Sequence, residues 1–285
     1  MPTATLDFDS NPKVSLESQL QRLALEASAV SNVIDTFKGI VPSLAEKLRE
    51  VYASLKSDDD LSRELKNTRN KFGDVKSKFA HASFLNYSKT AVSVPEGFKG
   101  NLLDYIQVLA GMSQEIFLEA NKTLGSYNFA LAAFISNKES KTSLQDHSHL
   151  FHQVAKRREE LNDRLKPFFP TTSNLSKNYL GDVISRFADV EALVAQSEKL
   201  NQQRKSQNIK DITEAVKKSV DMLDIIIEDT QSNGVAKVSG AAAMNISQGA
   251  YELGKYVEFI AIYRYRVEQA LTAVGNLVET LDRIL

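Results

Sequence analysis

The chain has 285 residues, 42% of them hydrophobic and 25% charged, and its 35 basic and 36 acidic side chains leave a net charge of −1. That balance lacks the basic excess of a general nucleic-acid binder, so no specific nucleic-acid partner is expected. With no cysteine at all, disulfides, thiolate catalysis and thiolate-bound zinc are excluded.

The opening residues, MPTATLDFDSNPKV, carry acids and prolines where a signal peptide would carry a basic and then an apolar run. Residues 1–13 read as an extended leader, and 14–285 as a single elongated helical domain with sub-boundaries near 91–100 and 168–178. The six prolines fall at 2, 12, 42, 95, 167 and 170. Between such breaks the apolar residues recur at alternating spacings of four and three, the period of one helix face.

The first such run is Leu16, Leu20, Leu23, Ala27, Val30, Ile34, Phe37 and Val41, resuming as Leu44, Leu48, Val51 and Leu55. Gly39 and Pro42 break it, because proline lacks the backbone donor and clashes with the preceding turn. A second helix starts after SDDD, where aspartates complement the helix dipole. Its seam is Leu61, Leu65, Thr68, Phe72, Val75, Phe79 and Ala82. The segment SVPEGFKGN is a loop. A third helix runs from about Leu102 to Phe134, weakened at Gly111 and Gly125.

The fourth helix, with Leu144, His147, Phe151, Val154, Arg158, Leu161, Leu165 and Phe168, ends at KPFFPTTSN. From about 179 to 231 the pattern fits one rod or two helices. The last run extends from Ile246 through Val257, Arg264, Leu271 and Val278 to Leu285. At ~1.5 Å per residue it approaches 60 Å. No segment alternates with period two, so no sheet is expected. The predicted fold class is all-α, an elongated bundle of five to seven long amphipathic helices with coiled-coil-like heptad seams.

Three of the four histidines lie in DHSHLFHQ. His147 falls on the apolar seam and His149 about 200° further round, so they cannot share an ion on one helix. His149 and His152 converge but lack further ligands, and there is no His-Glu-x-x-His. These read as surface and boundary histidines, with no metal. No Gly-x-Ser-x-Gly, Walker loop or GxGxxG occurs, so no catalytic residue and no cofactor is assigned.

The remaining candidates concern contact between helices. Arg158 and Arg264 occupy seam positions, where the plain reading is a stem packed at a bundle edge with its head in water, and the sharper one a polar layer that fixes register. Arg69 with Lys76, and Lys71 with Lys78, each repeat at seven on either side of the Phe72/Phe79 seam. Asp221, Asp224, Glu228 and Asp229 form an acidic run without a base. Solvation is the plain account of both, and a phosphate or lipid surface is a further alternative. The sharper account is partner selection, with helix 61–80 lying against the acidic helix around 221–229, within or between chains. Tyr256, Phe259 and Tyr263, with Leu277 and Ile284, widen the last helix's apolar stripe, which makes that helix either the central strut or the principal interface.

The functional expectation is a non-enzymatic structural or assembly protein whose partners are other protein subunits in a homo- or hetero-oligomer. A bacteriophage or other virion structural component fits, in the virion or in the cytoplasm. The alternative is a helical pore-forming or membrane-remodelling protein, for which YNFALAAFI at 127–135 is the segment that would meet lipid.

Overall fold

The computed structural model describes residues 58–136, 148–170, 178–206, 209–232 and 240–285. The expected helical run over 16–55 lies outside them. The described chain is mostly helical. Its elements in order are α1 (Asp58–Lys78), a 3-10 turn at Phe79–His81, α2 (Phe84–Tyr87), β1 (Ala91–Val92) and α3 (Leu102–Ser136). There follow α4 (Ser148–Asp163), a 3-10 turn at Lys166–Phe168, β2 (Asn178–Tyr179), α5 (Leu180–Val183), α6 (Ala188–Ser206), α7 (Ile209–Ser232) and α8 (Gly240–Ile284).

Local chemistry sets several of these boundaries. Asn101 starts α3, its side-chain oxygen accepting from the backbone N–H of Leu103 at 2.8 Å and of Asp104 at 3.3 Å, while Asp104 sits in the positively polarised first turn. The helix then runs through both Gly111 and Gly125 without a break. Asp189 does similar work for α6, accepting from the backbone N–H of Ser185 and of Arg186 at 3.2 Å each. The stretch read as one rod or two helices is divided, since α6 ends at Ser206 and α7 begins at Ile209.

One strand pair is present that the sequence did not suggest. Ala91 faces Tyr179 and Val92 faces Asn178 in an antiparallel ladder. The ladder continues as hydrogen bonds from Leu180 N–H to the Thr90 carbonyl and from Gly181 N–H to the Ser88 carbonyl, each 2.8 Å. Two residues a side are too few to show alternation. Gly181 eases this pairing, because a Cβ would stand 3.2 Å from the Ser88 carbonyl oxygen, a tight approach.

The chain divides into two compact units. Unit 1 comprises the described parts of Thr123–Gln153 and Thr213–Lys255, and unit 2 those of Arg49–Lys122, Val154–Ile212 and Tyr256–Leu285. These divisions fall within α3, α4, α7 and α8, while the sub-boundary positions expected near 91–100 and 168–178 fall inside the range of unit 2.

In unit 2 the core is built on the last helix. Tyr263 donates its hydroxyl proton to the Leu109 carbonyl of α3 at 2.7 Å, and Tyr256 to that of Ile116 at 3.0 Å, both buried. Donors and acceptors are seven residues apart on each helix and run in opposite directions, so α3 and the carboxyl-terminal part of α8 are antiparallel. Aromatic rings fill two corners. Phe187 stacks on Phe79 at 4.6 Å and takes the edge of Phe84 at 5.2 Å. Tyr105 meets Phe98 and Phe168 at 5.2 and 5.0 Å, and the Arg266 guanidinium lies 4.0 Å from the centre of Phe169.

Unit 1 uses the same device. The Tyr127 hydroxyl donates to the Ile246 carbonyl at 3.0 Å. Beside it Asn128 donates to the Ala215 carbonyl at 2.9 Å and accepts from the Ser219 hydroxyl at 2.6 Å, linking α3 to α7 through a satisfied polar pair.

Candidate interaction surfaces

The basic helix is the most completely defined surface. Within unit 2, α1 buries Leu61, Leu65, Phe72 and Val75, and its bases project on both sides of that seam. On one side Arg69 pairs with Glu198 at 3.2 Å and Lys76 with Glu191 at 2.5 Å. The acids step back by seven along α6 as the bases step forward by seven along α1, so those helices are antiparallel. Asn201 extends the series, its amide donating to Ser62 at 3.4 Å. On the other side Lys71 pairs with Glu279 at 2.7 Å and Lys78 with Asp282 at 3.2 Å, both on α8. There Gly275 allows close approach, since a Cβ would stand 3.2 Å from the Thr68 hydroxyl.

The two seven-residue repeats of bases therefore do meet acids across helices, but not the acids expected. Their partners are Glu191 and Glu198 of α6 and Glu279 and Asp282 of α8, whereas Asp221, Asp224 and Glu228 are exposed on α7; the side chain of Asp229 lies outside the described residues. Those three acids act on one another: thinned hydration pushes the Asp224 carboxyl up, and Asp221 and Glu228 beside it push it further. Glu279, one acid of the α1 ladder, experiences the reverse. The Lys71 ammonium, hydrogen-bonded to Glu279, holds its carboxyl below the usual range.

The aromatic stripe of the last helix is covered by the chain itself. Tyr256, Phe259, Tyr263 and Leu277 are all buried, and Ile284 is half-buried. Arg264 departs from the plain reading: it is buried, as is Glu268 one turn on, so its head does not reach water at a bundle edge. Arg204 of α6 is buried too, with Nε and Nη2 donating to the side-chain oxygen of Asn201 at 3.3 and 3.2 Å. Arg158 is half-buried.

Sequence reasoning missed two features. Glu115 of α3 is gripped by Arg157 of α4 and, at 2.9 Å, by Arg164 in the turn that follows α4. The hydrogen bond from Arg164, with the charges of both arginines, lowers its pKa against the opposing effect of burial. The second lies on the outward face of α3, where Leu118 and Phe129 are each 73% exposed. Of the apolar segment at 127–135, Tyr127, Ala130 and Leu131 are buried, and Phe129 is the large side chain that stands clear. A tally of charge along successive helix faces, rather than of apolar seams, would have found this face.

His152 on α4 and His81 in its 3-10 turn are exposed; His147 and the side chain of His149 lie outside the described residues. Among the described residues no three histidine or carboxylate groups are placed to hold a metal ion, and no helix is long and apolar enough to cross a membrane. No family model, curated protein or solved structure matches the chain.

Proposed function

We propose that this chain is a non-enzymatic structural or assembly protein acting through helix–helix contacts with other subunits, in the cytoplasm or in a virion. The observation that carries the reading is the outward face of α3, a 35-residue helix anchored along its inner side by buried tyrosine bonds, yet bearing two large apolar side chains in solvent. Scattered single apolar residues need no explanation, but side chains of this size and exposure, Leu118 in unit 2 and Phe129 in unit 1, suit contact surfaces. The heptad spacing of the α1 ion pairs and of the tyrosine bonds supports the finer view that the helices pack as coiled coils do.

The same two side chains also favour a second reading, a membrane-remodelling protein whose α3 face lies against lipid. Light scattering of the pure protein, run beside co-sedimentation with neutral and anionic vesicles, separates the two. The assembly reading expects lipid-free particles of defined mass and protein left in the supernatant. A monomer that pellets with vesicles and oligomerises there would sink it.

A further inference from the structure

We propose that Tyr105 of α3 and Arg266 of α8 form a site in unit 2 for a small oxyanion of the size of a phosphate group, held by the phenol proton and the guanidinium N–H groups together. The site does not depend on assembly with other subunits. Tyr105 is fully buried, yet its hydroxyl has no hydrogen-bond partner of good geometry. Tyr127, Tyr256 and Tyr263 are buried to the same degree, and each donates to a main-chain carbonyl of a neighbouring helix. A buried hydroxyl left without an acceptor destabilises a fold. Tyr105 is the fully buried tyrosine whose proton the packing of the described residues leaves unclaimed.

Arg266 supplies the charge. Its guanidinium carbon lies 4.0 Å from the centre of the Phe169 ring, the residue is half-buried, and no carboxylate among the described residues pairs with it. Its charge acts on the Tyr105 hydroxyl. A guanidinium has donors and no acceptor, so Arg266 cannot take the phenol proton. The two groups therefore present donors alone, and what completes them is an acceptor of negative charge. A guanidinium over an aromatic face keeps its N–H edge for such a partner. The walls are apolar and tied down. Phe98, Phe168 and Phe169 stand 5.2, 5.0 and 5.6 Å from the Tyr105 ring, and the Lys99 N–H donates to the Phe168 carbonyl at 2.9 Å. That bond joins the loop before α3 to the turn after α4. Such walls strengthen the attraction between an anion and the guanidinium. Because the hydroxyl itself is covered, the approach is from the half-buried Arg266 side, which suits a small anion rather than a polymer.

The test is the melting temperature of the full chain in a buffer free of oxyanions, with inorganic phosphate then added at an ionic strength held constant by chloride. The wild-type value should rise saturably, by roughly 2–4 °C once phosphate reaches several times its dissociation constant. Tyr105→Phe keeps the ring and removes the hydroxyl. Without phosphate this variant should match or exceed the wild type, since no bond is lost, and with phosphate most of the rise should be gone. Arg266→Gln should lose the rise as well. Arg266→Lys keeps the charge without the planar fork and should retain only part of it. A wild-type chain indifferent to phosphate overturns the site. An equal rise in the wild type and in Tyr105→Phe shows an adventitious ion only, bound elsewhere, and overturns it too. A Tyr105→Phe chain less stable than the wild type before any phosphate is added shows that the hydroxyl already has an acceptor, such as an ordered water, with the same consequence.

Discussion

Tyr263 shows how one polar atom can fix a helix pair. Its ring is fully buried and its hydroxyl reaches a carbonyl of α3 at 2.7 Å. That carbonyl keeps its second lone pair for the helix's own ladder. Tyr263→Phe preserves the ring and removes the bond, so the expected loss is about 0.5–1.5 kcal/mol, read as a lower urea midpoint at unchanged slope. Tyr105 is the contrasting case, because its buried hydroxyl has no hydrogen-bond partner of good geometry. Burial pushes its pKa up to about 12, against the pull of Arg266. The tyrosine positions were legible as an apolar stripe. Their acceptors were not, since every helix offers a carbonyl at each residue and only packing selects one.

At the scale of elements, α1 is held by complementary flanks. These pairs are solvent-exposed, so each is worth only ~0.2–1 kcal/mol, and together they specify which helices meet more than they strengthen the meeting. Lys76→Glu should lower the melting temperature slightly, and adding Glu191→Lys should restore it, with both effects shrinking in high salt. If the double reversal fails to restore stability, the two residues are not coupled. The repeat at seven that marks Arg69, Lys76, Lys71 and Lys78 could be read from the sequence, and so could the helix that bears it. The identity of the acids could not. A chain with 36 carboxylates offers many candidates, and the densest run, at 221–229, attracts notice because its members repel one another. Arg264 illustrates the same limit, since seam position alone does not separate a buried guanidinium from one that reaches water.

For the molecule as a whole, the titrating groups bound stability on both sides of neutrality. Glu115 and Glu279 have carboxyls lowered from the ordinary 4.5. Their contribution is present above 4.5 and is lost as pH falls through the lowered folded values. Tyr105, Tyr127 and Tyr256 are raised above the ordinary 10.0. Folded protein keeps protons there that the unfolded chain releases, so this contribution is complete below 10.0 and declines as pH rises through the folded values. Denaturant titrations across pH should show a plateau with an acid and an alkaline limb, and Glu115→Gln should flatten part of the acid limb. A wild-type acid limb unaltered by that substitution would count against the Glu115 bracket. The helical class was plain from periodicity, whereas the two-unit division was not, because it falls inside helices where composition does not change.

The two-residue ladder joining Ala91–Val92 to Asn178–Tyr179 has a consequence for how the chain reaches this state. Its partners are about ninety positions apart in sequence, and closing so long a loop costs chain entropy that two backbone pairings cannot offset alone. Helices form from neighbours and need no such closure. The ladder therefore waits for α1, α3 and α6 to bring its ends within reach. It is a record of their docking, and the route to the native state does not pass through it first.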